Sequence, residues 1–256
     1  MIKARETATD KLKVLPEDRH AHAANVIERV AAAEFDVLVI EAEQPKCVGL
    51  FAVGRGGNPW RHISLLRSIA GYGCTIIAPH VDMLASSVPT KAELDTRIRR
   101  LEAAADAYAR TDLPIAGIDH SIGTAVLLAL AGGEARTLAG DRVMSGSKWK
   151  FTRLALFAPP ADFFRHPGAL GSVNVPIRIW AGGKDRVTPP TQAVFLKGVL
   201  ASQAPVEVCL DEDAGHFTYM DEPPPHIRDP HPDRRTFLVS LASDVGQFIT
   251  AQRSSP

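Results

Sequence analysis

Residues 114–131 read PIAGIDHSIGTAVLLALA, and the architecture follows from how this stretch is parsed. Positions 114–119 form an apolar run without alternation, as expected of a strand buried on both faces. Positions 122–131 are rich in Ala and Leu, good helix formers. Ser121 stands at the junction. A strand that passes straight into a helix leaves the residue between them on a sharp, strained turn that lifts its side chain clear of the sheet. Neighbours two positions away must then be small for strand and helix to approach. Gly123 meets this need, whereas Asp119 stands where glycine is usual, so the motif is D-H-S-I-G and not G-x-S-x-G. The Asp119 carboxylate must pack beside the turn or find a partner, because a carboxylate left unpaired in a dry site is costly. If it lay beside an imidazole such as that of His216, in the later segment Asp213-Ala-Gly-His216-Phe, its charge would favour the imidazolium.

Outward from this unit the same alternation continues. Near-continuous apolar runs predict strands over 36–42, 47–53, 74–78, 153–158, 176–181 and 205–210. Helical spacing marks 59–70, 91–110, 189–201 and 234–251, and the second of these carries a capping box, Thr90 with Glu93. The pattern predicts an α/β class, a mostly parallel sheet with helices on both faces. We expect one domain over 1–256, with 1–35 an extension whose segment 16–34 has helical period. The stretches 132–150, with Trp149, and 221–233 are irregular excursions, expected to form a rim that sets substrate choice.

Composition narrows the function. Lys plus Arg and Asp plus Glu are both 29, so no global field attracts nucleic acid or an anionic membrane, and a small-molecule substrate fits better. The three cysteines, Cys47, Cys74 and Cys209, lack the pairing of a disulfide framework or zinc site. The N-terminus has no apolar leader and no run approaches the ~20 residues of a membrane span. A cytoplasmic location is the expectation, with no cofactor and no metal; self-association is left open.

Two later strand ends carry chemistry. One runs into Gly182-Gly-Lys-Asp185-Arg-Val-Thr-Pro, the next into Asp213-Ala-Gly-His216-Phe. In an open parallel sheet the C-terminal strand ends converge on one crevice. A hydroxyl, a carboxylate and an imidazole meeting there suit nucleophilic acyl transfer. The order Ser, Asp, His and the contexts of Ser121, Asp185 and His216 resemble the α/β-hydrolases, in particular dienelactone-hydrolase-like serine hydrolases and small carboxylesterases, over roughly 36–251. The resemblance implies Ser121 as nucleophile, His216 as base and Asp185 as orienting acid. It also implies an oxyanion loop at 51–60, with backbone donors from Ile122 and Arg55, although Val53-Gly54 replaces the usual His-Gly. The enzymes that give dienelactone hydrolases their name use cysteine, so the serine points to other esters. The short connection from Asp162 to Pro176 predicts little or no cap.

Rival readings rest on weaker patterns. Asp162, after an earlier strand, is the competing acid. Gly54, Gly56 and Gly57 fail the dinucleotide fingerprint because its third glycine would fall on Pro59. Ser145-Gly-Ser-Lys148 matches S-x-x-K but lacks its companion motifs. His226, His231, Asp229 and Asp233 have no compact ligand spacing. The functional alternatives are a thioesterase or acyltransferase on the same three residues, or a non-catalytic binding protein, the latter suggested by Val53 and Asp119.

Overall fold

The computed structural model describes residues 26–32 and 35–251. Its main sheet is built from β1 (Val26–Ala32), β2 (Phe35–Glu41), β3 (Cys47–Ala52), β4 (Cys74–Pro79), β5 (Ile115–His120), β8 (Phe151–Phe157), β9 (Ile177–Gly182) and β10 (Val206–Asp211). A two-stranded ribbon, β6 (Ala135–Arg136) and β7 (Arg142–Val143), stands apart. The helices are α1 (Ile63–Ala70), α2 (Lys91–Tyr108), α3 (Gly123–Leu130), α4 (Pro190–Leu200) and α5 (Arg234–Thr250). The spatial strand order is β1-β2-β4-β3-β5-β8-β9-β10, parallel from β4 to β10, with β1 and β2 antiparallel at one edge.

The unalternating strands are explained by two cores, one on each face. Leu50, Leu154 and Ile179 point to the side covered by α2, α3 and α4. Phe51, Phe157 and Trp180 point to the side covered by α1 and α5. Each central strand is apolar at successive positions because each position has its own hydrophobic layer to enter. The capping box of α2 forms as expected: Glu93 N donates to Thr90 Oγ1 at 3.2 Å and Thr90 N donates to Glu93 Oε2 at 2.8 Å. Asp162–Phe164 is a 3-10 turn in the short β8–β9 connection, so no cap is inserted there.

Two expectations are corrected. The helix expected over 16–34 is a strand in its described part, Val26–Ala32, paired antiparallel along the whole of β2; 16–25 lie outside the described residues. Val26, Ile27 and Val30 fit a helical period, but they are β-branched and lie next to an open sheet edge whose backbone groups need partners. The 132–150 excursion does not line the crevice. It leaves the C-terminal end of α3, enters β8 at its N-terminal end, and folds onto the last turns of α2, where Trp149 Nε1 donates to Asp106 Oδ1 (2.9 Å) and Ser145 Oγ to Glu102 Oε1 (3.0 Å). Among the described residues, no helix is long and apolar enough to cross a membrane.

Candidate active site

The turn at Ser121 is as sharp as the sequence requires. Ser121 has φ 57°, in the left-handed region where non-glycine residues are rare. Only one other described non-glycine residue shares that region, Ala158 at the end of β8 (φ 48°). The approach of α3 to β3 explains Gly123: a Cβ there would lie 2.1 Å from the Ala52 carbonyl oxygen. The loop after β3 also passes near the turn, since a Cβ on Gly54 would stand 3.6 Å from Ser121 Cβ and 3.1 Å from His120 Nδ1.

Ser121, His216 and Asp185 follow β5, β10 and β9, and the parallel register brings them together. His216 Nε2 lies 2.8 Å from Ser121 Oγ, and Nδ1 lies 2.9 Å from Asp185 Oδ2. An ionised carboxylate only accepts, so Nδ1 carries the proton and Nε2 faces the serine hydroxyl with its lone pair. Asp185 is itself fixed: Oδ1 accepts from the amides of Val187 (2.7 Å) and Thr188 (2.8 Å). Burial pushes its carboxyl up, but the hydrogen bond and charge of His216, with the Thr188 donors, outweigh this and hold it below the usual range.

Three neighbours of this chain of hydrogen bonds escaped the sequence reading. Thr188 Oγ1 lies within 2.8 Å of Asp185 Oδ2, 2.9 Å of the Ala158 carbonyl and 3.1 Å of His216 Nδ1, joining the acid to the end of β8. His120 Nε2 donates to the His216 carbonyl at 2.8 Å, anchoring the backbone of the imidazole-bearing loop. His62 Nδ1 donates to the Tyr219 carbonyl at 3.1 Å. The three imidazoles lie in a row, with ring centroids 5.2 Å apart in both steps: His62 meets His120 edge-on (61° between planes) and His120 is tilted against His216 (41°). Burial lowers His62 to about 4 and holds His120 well below its ordinary value, so both are neutral supports.

The competing residues lie elsewhere. Asp162 is exposed and paired with Arg165. Lys148 pairs with Asp106 at 2.9 Å, on the surface of α2. The 221–233 segment braces the His216 loop from behind: Asp229 Oδ1 accepts from Thr218 Oγ1 (3.0 Å), which in turn accepts from Gly215 N (2.8 Å). Asp221 Oδ2 accepts from the Ser64 and Leu65 amides at the start of α1.

Asp119 is fully buried, and its partners are Thr124 Oγ1 (3.1 Å) and Phe157 N (3.2 Å), both on Oδ1; Oδ2 has none among the described residues. It therefore ties β5 to α3 and β8. Burial holds its carboxyl well above the usual range. The folded chain keeps a proton that the unfolded chain releases near ~4, so this contribution is full below that value and is lost as pH rises through the folded pKa. Asp119→Asn keeps the Oδ1 acceptor and cannot ionise. It is expected to gain stability over the wild type progressively as pH rises. Urea unfolding of both forms from mildly acidic to mildly alkaline pH checks this, and parallel stability curves would refute it.

By sequence, the chain matches no family model and no curated protein. By structure, it is similar to TT1662 from Thermus thermophilus (TM-score 0.61, 17% identity, 89% of this chain and 99% of that one). It is also similar to butyrate-bound esterase 2 from Thermogutta terrifontis (TM-score 0.61, 13% identity, 94% and 98%). The same esterase phosphorylated by paraoxon superposes at TM-score 0.59 with 13% identity, over 96% of this chain and 100% of that one. Strand order, strand-end site and structural neighbours agree: the chain has the α/β-hydrolase fold.

Proposed function

We propose that the chain is a serine hydrolase that cleaves small or extended carboxylic esters through an acyl-enzyme. The observation that carries this reading is the unbroken hydrogen-bonded series from Ser121 Oγ through His216 to Asp185, starting on a strained turn. In this reading His216 takes the proton from Ser121 as its oxygen attacks the ester carbonyl. Asp185 holds the imidazole tautomer and stabilises the imidazolium. His216 then returns the proton to the departing alcohol; in the second half the same imidazole takes a proton from the attacking water and passes it to the Ser121 oxygen as the acid leaves.

The developing oxyanion needs backbone donors, and the amides of Ile122 and Arg55 are assigned to it. Ile122 opens α3, where N–H groups have no partner within the helix. Arg55 follows Gly54, whose backbone runs against Ser121. A similar fold in an esterase solved with butyrate, and again phosphorylated by paraoxon, supports a small ester as substrate.

A fluorophosphonate probe followed by peptide mapping tests the reading, because its phosphorus is attacked only by an activated hydroxyl beside a working oxyanion site. Stoichiometric labelling of Ser121 is expected. An unlabelled protein, or a label on another residue, would remove the assignment.

A further inference from the structure

Behind the loop that carries Gly54 and Arg55 lies a guanidinium that no sequence motif announces. Arg97 sits on the inner face of α2 with Leu94, Ile98 and Leu101, and is only 4% exposed. Buried arginines usually face a carboxylate. This one spends its N–H groups on four carbonyls instead. Nη1 donates to Val53 O (3.2 Å) and Gly54 O (2.9 Å), and Nη2 to Arg55 O (3.0 Å) and Asp82 O (2.9 Å). Burial lowers the group to about 10, against the through-space pull of Glu93 and Asp82, so it is charged at neutral pH.

Three of these acceptors are consecutive carbonyls of one loop. In a trans peptide the C=O and the following N–H point in opposite directions. A Gly54 carbonyl turned toward Arg97 therefore sends the Arg55 N–H away from α2. The Ser121 turn borders the same residue, 3.6 Å from where a Gly54 Cβ would be. Gly57 N donates to Gly54 O (3.1 Å) and Leu84 N to Arg55 O (3.1 Å), so the same peptides are held from a second direction.

The geometry points to Arg97 as a positioning residue for the reaction: a buried positive charge that fixes and polarises the Gly54–Arg55 peptide, so that its N–H meets the negative charge of the transition state. The inference rests on the acyl-enzyme reading above. Two effects combine. The guanidinium sets the direction of the amide in advance, and a hydrogen bond from a cation to the carbonyl strengthens the N–H of the same peptide as a donor. Lysine would not substitute fully, because a single ammonium lacks the planar fork that spans four acceptors.

Arg97→Met removes charge and donors while keeping an unbranched stem. Loss of one oxyanion donor costs about 10²–10³ in kcat; a residue acting through such a donor is expected to cost about 10- to 100-fold, with KM nearly unchanged. The decisive readout is an alkyl boronic acid, whose boron accepts the electron pair of the Ser121 oxygen as the proton passes to His216, giving a tetrahedral anion. Its affinity should fall in proportion to kcat/KM, and Arg97→Lys should recover part of both losses. Wild-type kcat and boronate affinity in folded Arg97→Met would overturn the inference, as would a loss confined to KM. Should Arg97→Met not fold, Arg97→Lys decides by the same two quantities: parallel partial losses support the role and wild-type values overturn it. Fluorophosphonate labelling of the wild type, run alongside, separates the failures. A labelled wild type with indifferent Arg97 variants removes this inference alone, and an unlabelled wild type removes the acyl-enzyme reading with it.

Discussion

Ser121→Ala is expected to lower ester turnover by about 10⁶-fold, the scale seen when the nucleophile of a hydrogen-bonded triad is deleted, while the chain stays folded. Among the described residues the hydroxyl has one side-chain partner, His216 Nε2 at 2.8 Å, and the residue is half-buried at the crevice. Its removal opens no apolar cavity and strands no buried donor. Alanine must still adopt the φ of 57° now held by serine, which it does at a cost similar to that of the residue it replaces. Hydrolysis of a short-chain p-nitrophenyl ester, with thermal melting as the folding control, measures both halves. Near wild-type turnover would show that the nucleophile lies elsewhere.

Asp185→Asn is expected to cost about 10⁴ in turnover, with the reason readable from its hydrogen bonds. Oδ1 accepts from the Val187 and Thr188 amides, so the asparagine oxygen must take that place and the NH₂ group must take the place of Oδ2. A donor then faces His216 Nδ1. The imidazole is forced to carry its proton on Nε2, against the Ser121 hydroxyl, and no longer accepts from it. Asp162→Asn serves as the control, because that side chain is exposed and bound to Arg165. A large loss in Asp162→Asn with Asp185→Asn unaffected would move the acid to the end of β8.

The central strands were legible because they are buried on both faces, which forces apolar residues at every position of segments such as Leu154–Phe157. The edge was not. Val26–Ala32 has a helical spacing of apolar residues, and only the open side of β2 selects a strand. The convergence of Ser121, Asp185 and His216 could be read because each follows a strand end, where topology brings the ends together. Thr188, His120 and Arg97 could not. His120 acts on a backbone carbonyl 96 residues away and Arg97 on carbonyls 15 and 42–44 residues away, and a carbonyl is the same in every residue type. Their signal was indirect: an arginine on the apolar stripe of α2, and a histidine beside the serine turn. The loop at 132–150 was misjudged because its polar composition records exposure, not which end of the sheet it occupies.

The position of β10 bears on how the protein would fail. Among the described residues it is the last strand of the sheet, paired with β9 on one side only, and its residues are exposed or half-buried where those of β3 and β5 are buried throughout. Cooperative opening is cheapest where backbone bonds are few and solvent-facing. His216 is carried by the loop that leaves this strand, whereas Ser121 and its strained turn sit between strands held on both sides. Partial unzipping at the edge would thus displace His216 and leave Ser121 in place. On the acyl-enzyme reading, activity would then follow a local equilibrium separate from that of the core, and would be lost reversibly before the fold is.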